Sequence, residues 1–148
     1  MKSMNKLMAL CLIVISSYTT QSQILTSARP NYYNKYAEKL PTTVAELDKA
    51  FKTPEGTKIK INFSDFSFNG IVTSSIKRYD NLYSVIIKSP GLNNTLLSIS
   101  KRSKDDKTIT YVGRIINEQY GDRFELRKDN NGRYAINKIN TDALIEDY

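Results

Sequence analysis

Thr57-Lys58-Ile59-Lys60-Ile61-Asn62-Phe63 alternates polar and apolar residues with a period of two. A helix repeats about every 3.6 residues, whereas a strand turns successive side chains to opposite faces. This stretch therefore reads as a half-buried strand, with Ile59, Ile61 and Phe63 inward and Lys58, Lys60 and Asn62 outward. The period persists downstream. Phe66, Phe68, Gly70, Val72, Ser74 and Ile76 are read as one face of a longer strand, with Gly70 its bend or bulge.

Further strands follow over 82–89, 95–101, 108–117, 122–128 and 133–139, placing Leu97, Ile99, Ile109, Tyr111, Ile115, Phe124, Leu126, Tyr134 and Ile136 inward. Turn chemistry separates them: Asp80-Asn81, Pro90-Gly91-Leu92-Asn93-Asn94, Lys104-Asp105-Asp106-Lys107, Tyr120-Gly121 and Asp129-Asn130-Asn131-Gly132. Connections this short join antiparallel neighbours, since parallel pairs need long crossovers.

Upstream the period changes. Thr43-Val44-Ala45-Glu46 fits a capping box, and Val44, Leu47 and Phe51 recur at helical spacing until Thr53-Pro54-Glu55-Gly56 stops the helix. Residues 140–148 read as a helical turn packing Leu144 and Ile145. The expected fold is mainly β: an antiparallel meander or open barrel of about seven strands, with one short N-terminal helix and that C-terminal turn.

Ahead of the helix, residues 24–41 form a polar, tyrosine-rich arm punctuated by Pro30 and Pro41. It carries Arg29, Tyr32, Tyr33 and Tyr36, the residues expected to meet a partner. The tyrosines equally suit an arm anchored to its own domain. Residues 1–23 read as a secretory signal: Lys2 and Lys6 precede an apolar run, Leu7–Ile15, of about nine residues, against the ~20 that span a bilayer. The expected location is secreted or periplasmic, without a transmembrane anchor, and residues 42–148 form a single domain. The only cysteine, Cys11, lies in the apolar run and leaves with it, so no disulfide is expected. Without Lys2 and Lys6, 20 basic residues face 15 acidic ones, a net charge near +5. That excess is spread along the chain, which disfavours nucleic acid as the partner.

The chain has no histidine. With no histidine, and no cysteine once Cys11 leaves with the leader, histidine triads, thiol nucleophiles and the usual zinc sites are excluded, and no glycine-rich phosphate loop occurs. The carboxylate pairs Asp105/Asp106, Asp122/Glu125 and Glu146/Asp147 read as exposed charges rather than as a converging glycosidase pair. Asp129-Asn130-Asn131-Gly132 lacks the ligand spacing of a calcium loop and is read as a hairpin. No catalytic residue, metal or cofactor is expected. Asn62-Phe63-Ser64 and Asn93-Asn94-Thr95 match the N-glycosylation pattern.

A resemblance adds to this reading. Phe68-Asn69-Gly70-Ile71-Val72-Thr73-Ser74-Ser75, Leu82-Tyr83-Ser84-Val85-Ile86-Ile87-Lys88-Ser89, Leu97-Ser98-Ile99-Ser100, Tyr111-Val112-Gly113-Arg114-Ile115-Ile116, Tyr120-Gly121-Asp122-Arg123-Phe124-Glu125-Leu126 and Gly132-Arg133-Tyr134 resemble one family region. It is the N-terminal propeptide-like region of secreted zinc metallopeptidases from Bacteroidetes-type bacteria, matched over about residues 66–146. The resemblance implies a masking or chaperoning role toward a peptidase, but the sequence has no H-E-x-x-H motif of its own. The functional expectation is a non-catalytic protein-binding module, inhibitor-like or an assembly partner, using a sheet edge or the arm. The alternatives are a carrier of a small apolar molecule or lipid in a barrel cavity, and a carbohydrate binder using the tyrosines.

Overall fold

The computed structural model describes residues 29–140. The expected leader over 1–23, with Cys11, and the C-terminal turn over 141–148 lie outside the described residues. Eight strands form one antiparallel sheet: β1 (Lys39–Thr42), β2 (Lys58–Phe63), β3 (Phe66–Tyr79), β4 (Leu82–Ser89), β5 (Thr95–Ser103), β6 (Ile109–Ile116), β7 (Asp122–Lys128) and β8 (Tyr134–Asn140). Strands β2 to β8 are a meander, and β1 adds to its far side against β8. The sheet curls into a half-barrel. Its two ends approach each other where Thr42 Oγ1 donates to the Asn62 carbonyl at 2.8 Å.

The alternation in the sequence fixes which face turns inward. Ile61, Phe63, Phe66, Phe68, Val85, Ile87, Leu97, Ile99, Ile115 and Phe124 are all buried on the concave side. Each stabilises the fold by about 1.5–3 kcal/mol relative to exposure. The helix α1 (Val44–Lys52) contacts β2 and β4, burying Leu47 and Ala50. Its Phe51 ring meets those of Tyr83 and Tyr111.

Several expectations are corrected. Lys39–Thr42 is a strand rather than the end of an arm, and it adds an eighth strand to the antiparallel sheet read from the sequence. Val44 is exposed, and Ala50 takes the buried position beside Leu47. Thr43 Oγ1 accepts from Glu46 N–H at 3.2 Å, as a capping residue should. Glu46 does not complete the box; its carboxylate accepts from Lys49 Nζ and from the backbone and side-chain N–H groups of Asn62 instead. In β3 the strand runs through Gly70, and the register shifts between Val72 and Ser74. Thr73 is the extra residue of that bulge, so parity reverses beyond it. Ser75 and Lys77 then face inward opposite Val85 and Tyr83, while Ser74 and Ile76 face outward, Ile76 being exposed. Ile109, at the start of β6, is exposed as well.

Candidate functional site

The arm residues are placed by the sheet rather than held away from it. A 3-10 turn over Tyr33–Lys35 is fixed by Asp122, whose two oxygens accept from Tyr32 N–H at 2.8 Å and Tyr33 N–H at 2.6 Å. Gly121 N–H donates to the Pro30 carbonyl, and an Arg29 guanidinium N–H donates to the Glu118 carbonyl. Tyr32 stacks on Tyr120 with ring centroids 4.7 Å apart. Tyr36 packs edge-on to Phe66 at 4.9 Å, and Lys138 Nζ donates to the Tyr36 carbonyl. Tyr33 is fully buried against Phe124 and Phe66. Its hydroxyl lies beside Thr95 without a hydrogen-bond partner, and burial pushes the phenol well above its ordinary pKa. Of the four residues expected to meet a partner, Arg29 is exposed, Tyr32 and Tyr36 are half-buried, and Tyr33 belongs to the core.

Asp122, which the sequence pattern assigns to the exposed charges, is buried, with 2% of its surface exposed. Nothing local signals this, because its partners are backbone groups about 90 positions earlier. Glu125 remains on the outer face, bridging Arg123 and Arg127. Hydrogen bonds from Arg127 hold its carboxyl below the ordinary value against a smaller opposing effect of burial, with Arg123 adding to them.

A second polar constellation fastens α1 to the concave face. Asp48 Oδ1 accepts from Lys101 Nζ at 2.8 Å and from Tyr111 OH at 2.6 Å. Burial opposes the charge on Asp48, but those two hydrogen bonds together with the nearby charges of Lys101 and Lys52 leave the carboxyl below its ordinary pKa. Burial, then the bond to Asp48, raises the Tyr111 phenol. Beside this cluster is a hollow of about 350 Å³ lined by Phe51, Lys77, Tyr79 and Tyr83. Its ion pairs, Asp48–Lys101 and Lys77–Asp80, are internally compensated. Among the described residues there is no group of three His, Cys, Asp or Glu able to hold a metal ion, and no helix long and apolar enough to cross a membrane.

The sheet edge at β2 differs in character. Phe63 faces Phe66 across the two-residue turn Ser64–Asp65, with Ser64 at φ +48°. The closing pair of such a hairpin is hydrogen bonded, and the pattern alternates from there. Phe63, Ile61 and Ile59 therefore bond to β3, while Asn62, Lys60 and Lys58 direct N–H and C=O away from it. Asn62 confirms this alternation: its N–H donates to Glu46 Oε2 at 3.0 Å and its carbonyl accepts from Thr42. Beyond Asn62 the cover ends. No described residue reaches the outward N–H or C=O of Lys60 or Lys58. Strand pairing puts Lys58, Ile71 and Lys88 in one row and Lys60 beside Asn69, all on the convex face. None of these three lysines makes an ion pair with a described residue. A hollow of about 430 Å³ opens here, floored by Ile59, Ile71 and Pro90.

No protein-family model, curated protein or solved structure matches this chain.

Proposed function

We propose that the protein is a non-catalytic binding module that captures an extended segment of another protein on the edge of β2. The observation that carries this reading is the pair Lys58 and Lys60, which no described residue covers, with four outward backbone groups beside an edge that is closed at Asn62 by Thr42 and Glu46. An added strand needs such a row of donors and acceptors and little else. Four hydrogen bonds at about 1 kcal/mol net each are comparable with the smaller estimates, about 4 kcal/mol, of the cost of association. Backbone pairing alone is therefore weak, and side chains beside the edge decide affinity.

The filled interior favours this reading over an apolar carrier. Tyr33, Phe63, Phe66, Phe68 and Phe124 occupy the concave side with ring centroids 4.9–6.5 Å apart. The arm is a poorer contact than the edge, because Tyr33 is in the core and Tyr32 and Tyr36 stack on their own domain. The partner class implied by the resemblance, a secreted zinc metallopeptidase, is the first protein to try. Purified protein is titrated into a panel of such enzymes with a fluorogenic substrate, alongside Lys60→Pro, which removes the outward donor. Saturable inhibition that Lys60→Pro abolishes supports edge capture. Inhibition unchanged by Lys60→Pro removes the edge from the contact, and no inhibition at micromolar concentration removes these peptidases as the partner.

A further inference from the structure

Resting on that reading, we infer that the captured segment is acidic and alternates acidic with apolar residues. Lys58 and Lys60 project from the same face, two residues apart on one strand, and Lys88 lies in the same row as Lys58 two strands away. All three are exposed and unpaired among the described residues. The nearest acidic residues in sequence, Glu55 and Asp65, sit in the turns at either end of β2 rather than along it. A strand laid on this edge places every second side chain on the convex face beside the lysines. Carboxylates at those positions meet Lys58 and Lys60 on the adjacent strand, with Lys88, three strand spacings away at about 4.8 Å each, adding only longer-range attraction, whereas lysines there meet repulsion.

The intervening side chains turn to the concave side, next to Ile59. That residue is half-buried and packed against the core cluster, so it offers an apolar seat. The segment therefore reads acid–apolar–acid–apolar–acid over about five residues, roughly the length of a short edge strand. The same lysines argue against a second copy of this chain as the occupant, because two identical edges would bring like charges together.

The test uses the full chain and three fluorescein-labelled peptides, Gly-Glu-Val-Glu-Val-Glu-Gly and its analogues with Gln or Lys in place of Glu, followed by anisotropy. The Glu peptide is expected to bind at least tenfold more tightly than the Gln peptide, and the Lys peptide not at all. Added salt should narrow the gap between the Glu and Gln peptides. The double variant Lys58→Glu/Lys60→Glu, which changes only exposed side chains, should reverse the order of the Glu and Lys peptides. Equal binding of Glu and Gln peptides, still lost in Lys60→Pro, overturns the acidic preference and leaves edge capture standing. Absence of binding by all three at millimolar concentration, or binding that Lys60→Pro does not change, overturns both.

Discussion

Asp122 and Tyr33, 89 positions apart, are joined by a 2.6 Å hydrogen bond from the Tyr33 backbone N–H to a carboxylate that solvent barely reaches. The other oxygen takes Tyr32 N–H, so one side chain holds two orphan donors of the 3-10 turn. Charge-assisted bonds of this kind are the stronger class. Asp122→Ala strands both amides. It should cost about 2–4 kcal/mol of stability, read from urea unfolding, since each buried unpaired donor costs about 1–3 kcal/mol. Asp122→Asn, which keeps one acceptor, should cost less than the alanine variant. Equal losses would mean that the retained amide oxygen contributes nothing, and no loss in Asp122→Asn would mean the same of the charge.

The buried hydroxyl of Tyr33 invites the opposite result. It lacks a hydrogen-bond partner, so Tyr33→Phe removes a desolvated polar atom and keeps the ring contacts with Phe66 and Phe124. Stability should hold or rise by up to about 1 kcal/mol, whereas Tyr33→Ala should lose about 3–5 kcal/mol. A loss on Tyr33→Phe would reveal a bond from the hydroxyl to the neighbouring Thr95 side chain.

Two glycines are held by close approach. A Cβ on Gly113 would stand 2.5 Å from the Ser98 carbonyl oxygen, and one on Gly70 would meet Ile87 Cγ2 at 2.6 Å and the Lys88 oxygen at 2.7 Å. Backbone cannot yield that much without disturbing the sheet. Gly113→Ala and Gly70→Ala should each cost about 1–3 kcal/mol. Gly91→Ala, with nothing within 4 Å, should be silent by thermal unfolding.

Along β2, proline substitution separates outward from inward amides. Lys60→Pro removes no sheet bond and should cost at most about 1 kcal/mol, whereas Ile61→Pro breaks the ladder to β3 and should cost about 3 kcal/mol or more. Ile61→Ala measures how much of the latter is the lost side chain. Comparable losses for Lys60→Pro and Ile61→Pro would reverse the assigned hydrogen-bond alternation.

Acid titrates the charge network. Glu46, Asp48 and Glu125 are all more acidic in the folded chain than ordinary carboxyls: Glu46 through Lys49, Asp48 despite burial through Lys101 and Tyr111, and Glu125 chiefly through Arg127. The unfolded chain then binds protons first as pH falls. Their stabilisation is complete above the unfolded values, 4.5 for Glu and 3.8 for Asp, and is lost progressively through the lower folded ones. Urea midpoints should be flat from pH 7 to about 5.5 and fall below that, with Asp48→Asn flattening the decline.

The strand alternation was legible because Ile61, Phe63, Leu97, Ile99, Phe124 and Leu126 occupy one face of a strand without interruption. The bulge at Thr73 was not, since a β-branched residue in a β-rich run carries no mark of being the extra one. Strand β1 was hidden by its brevity and by Pro41, tolerated because the strand lies at an edge. Asp122 escaped for a different reason: its role depends on main-chain donors, which every residue type supplies. The open edge was visible only as alternating lysines, a pattern that an ordinary wetted face shares.

The placement of β1 beside β8 orders the events of folding. Each hairpin from β2 to β8 closes over a few residues, but β1 meets β8 only by bringing Lys39 to Asn137, nearly the full described length. Loop closure on that scale carries a larger entropic cost than any hairpin. The meander is therefore expected to form first, and the β8 edge stays unpaired until β1 arrives. During synthesis β1 emerges first and waits for the last strand, so the nascent chain passes through a stage with exposed edges at both ends of the sheet. Slow docking of β1 would prolong that stage and, with it, the exposure to aggregation.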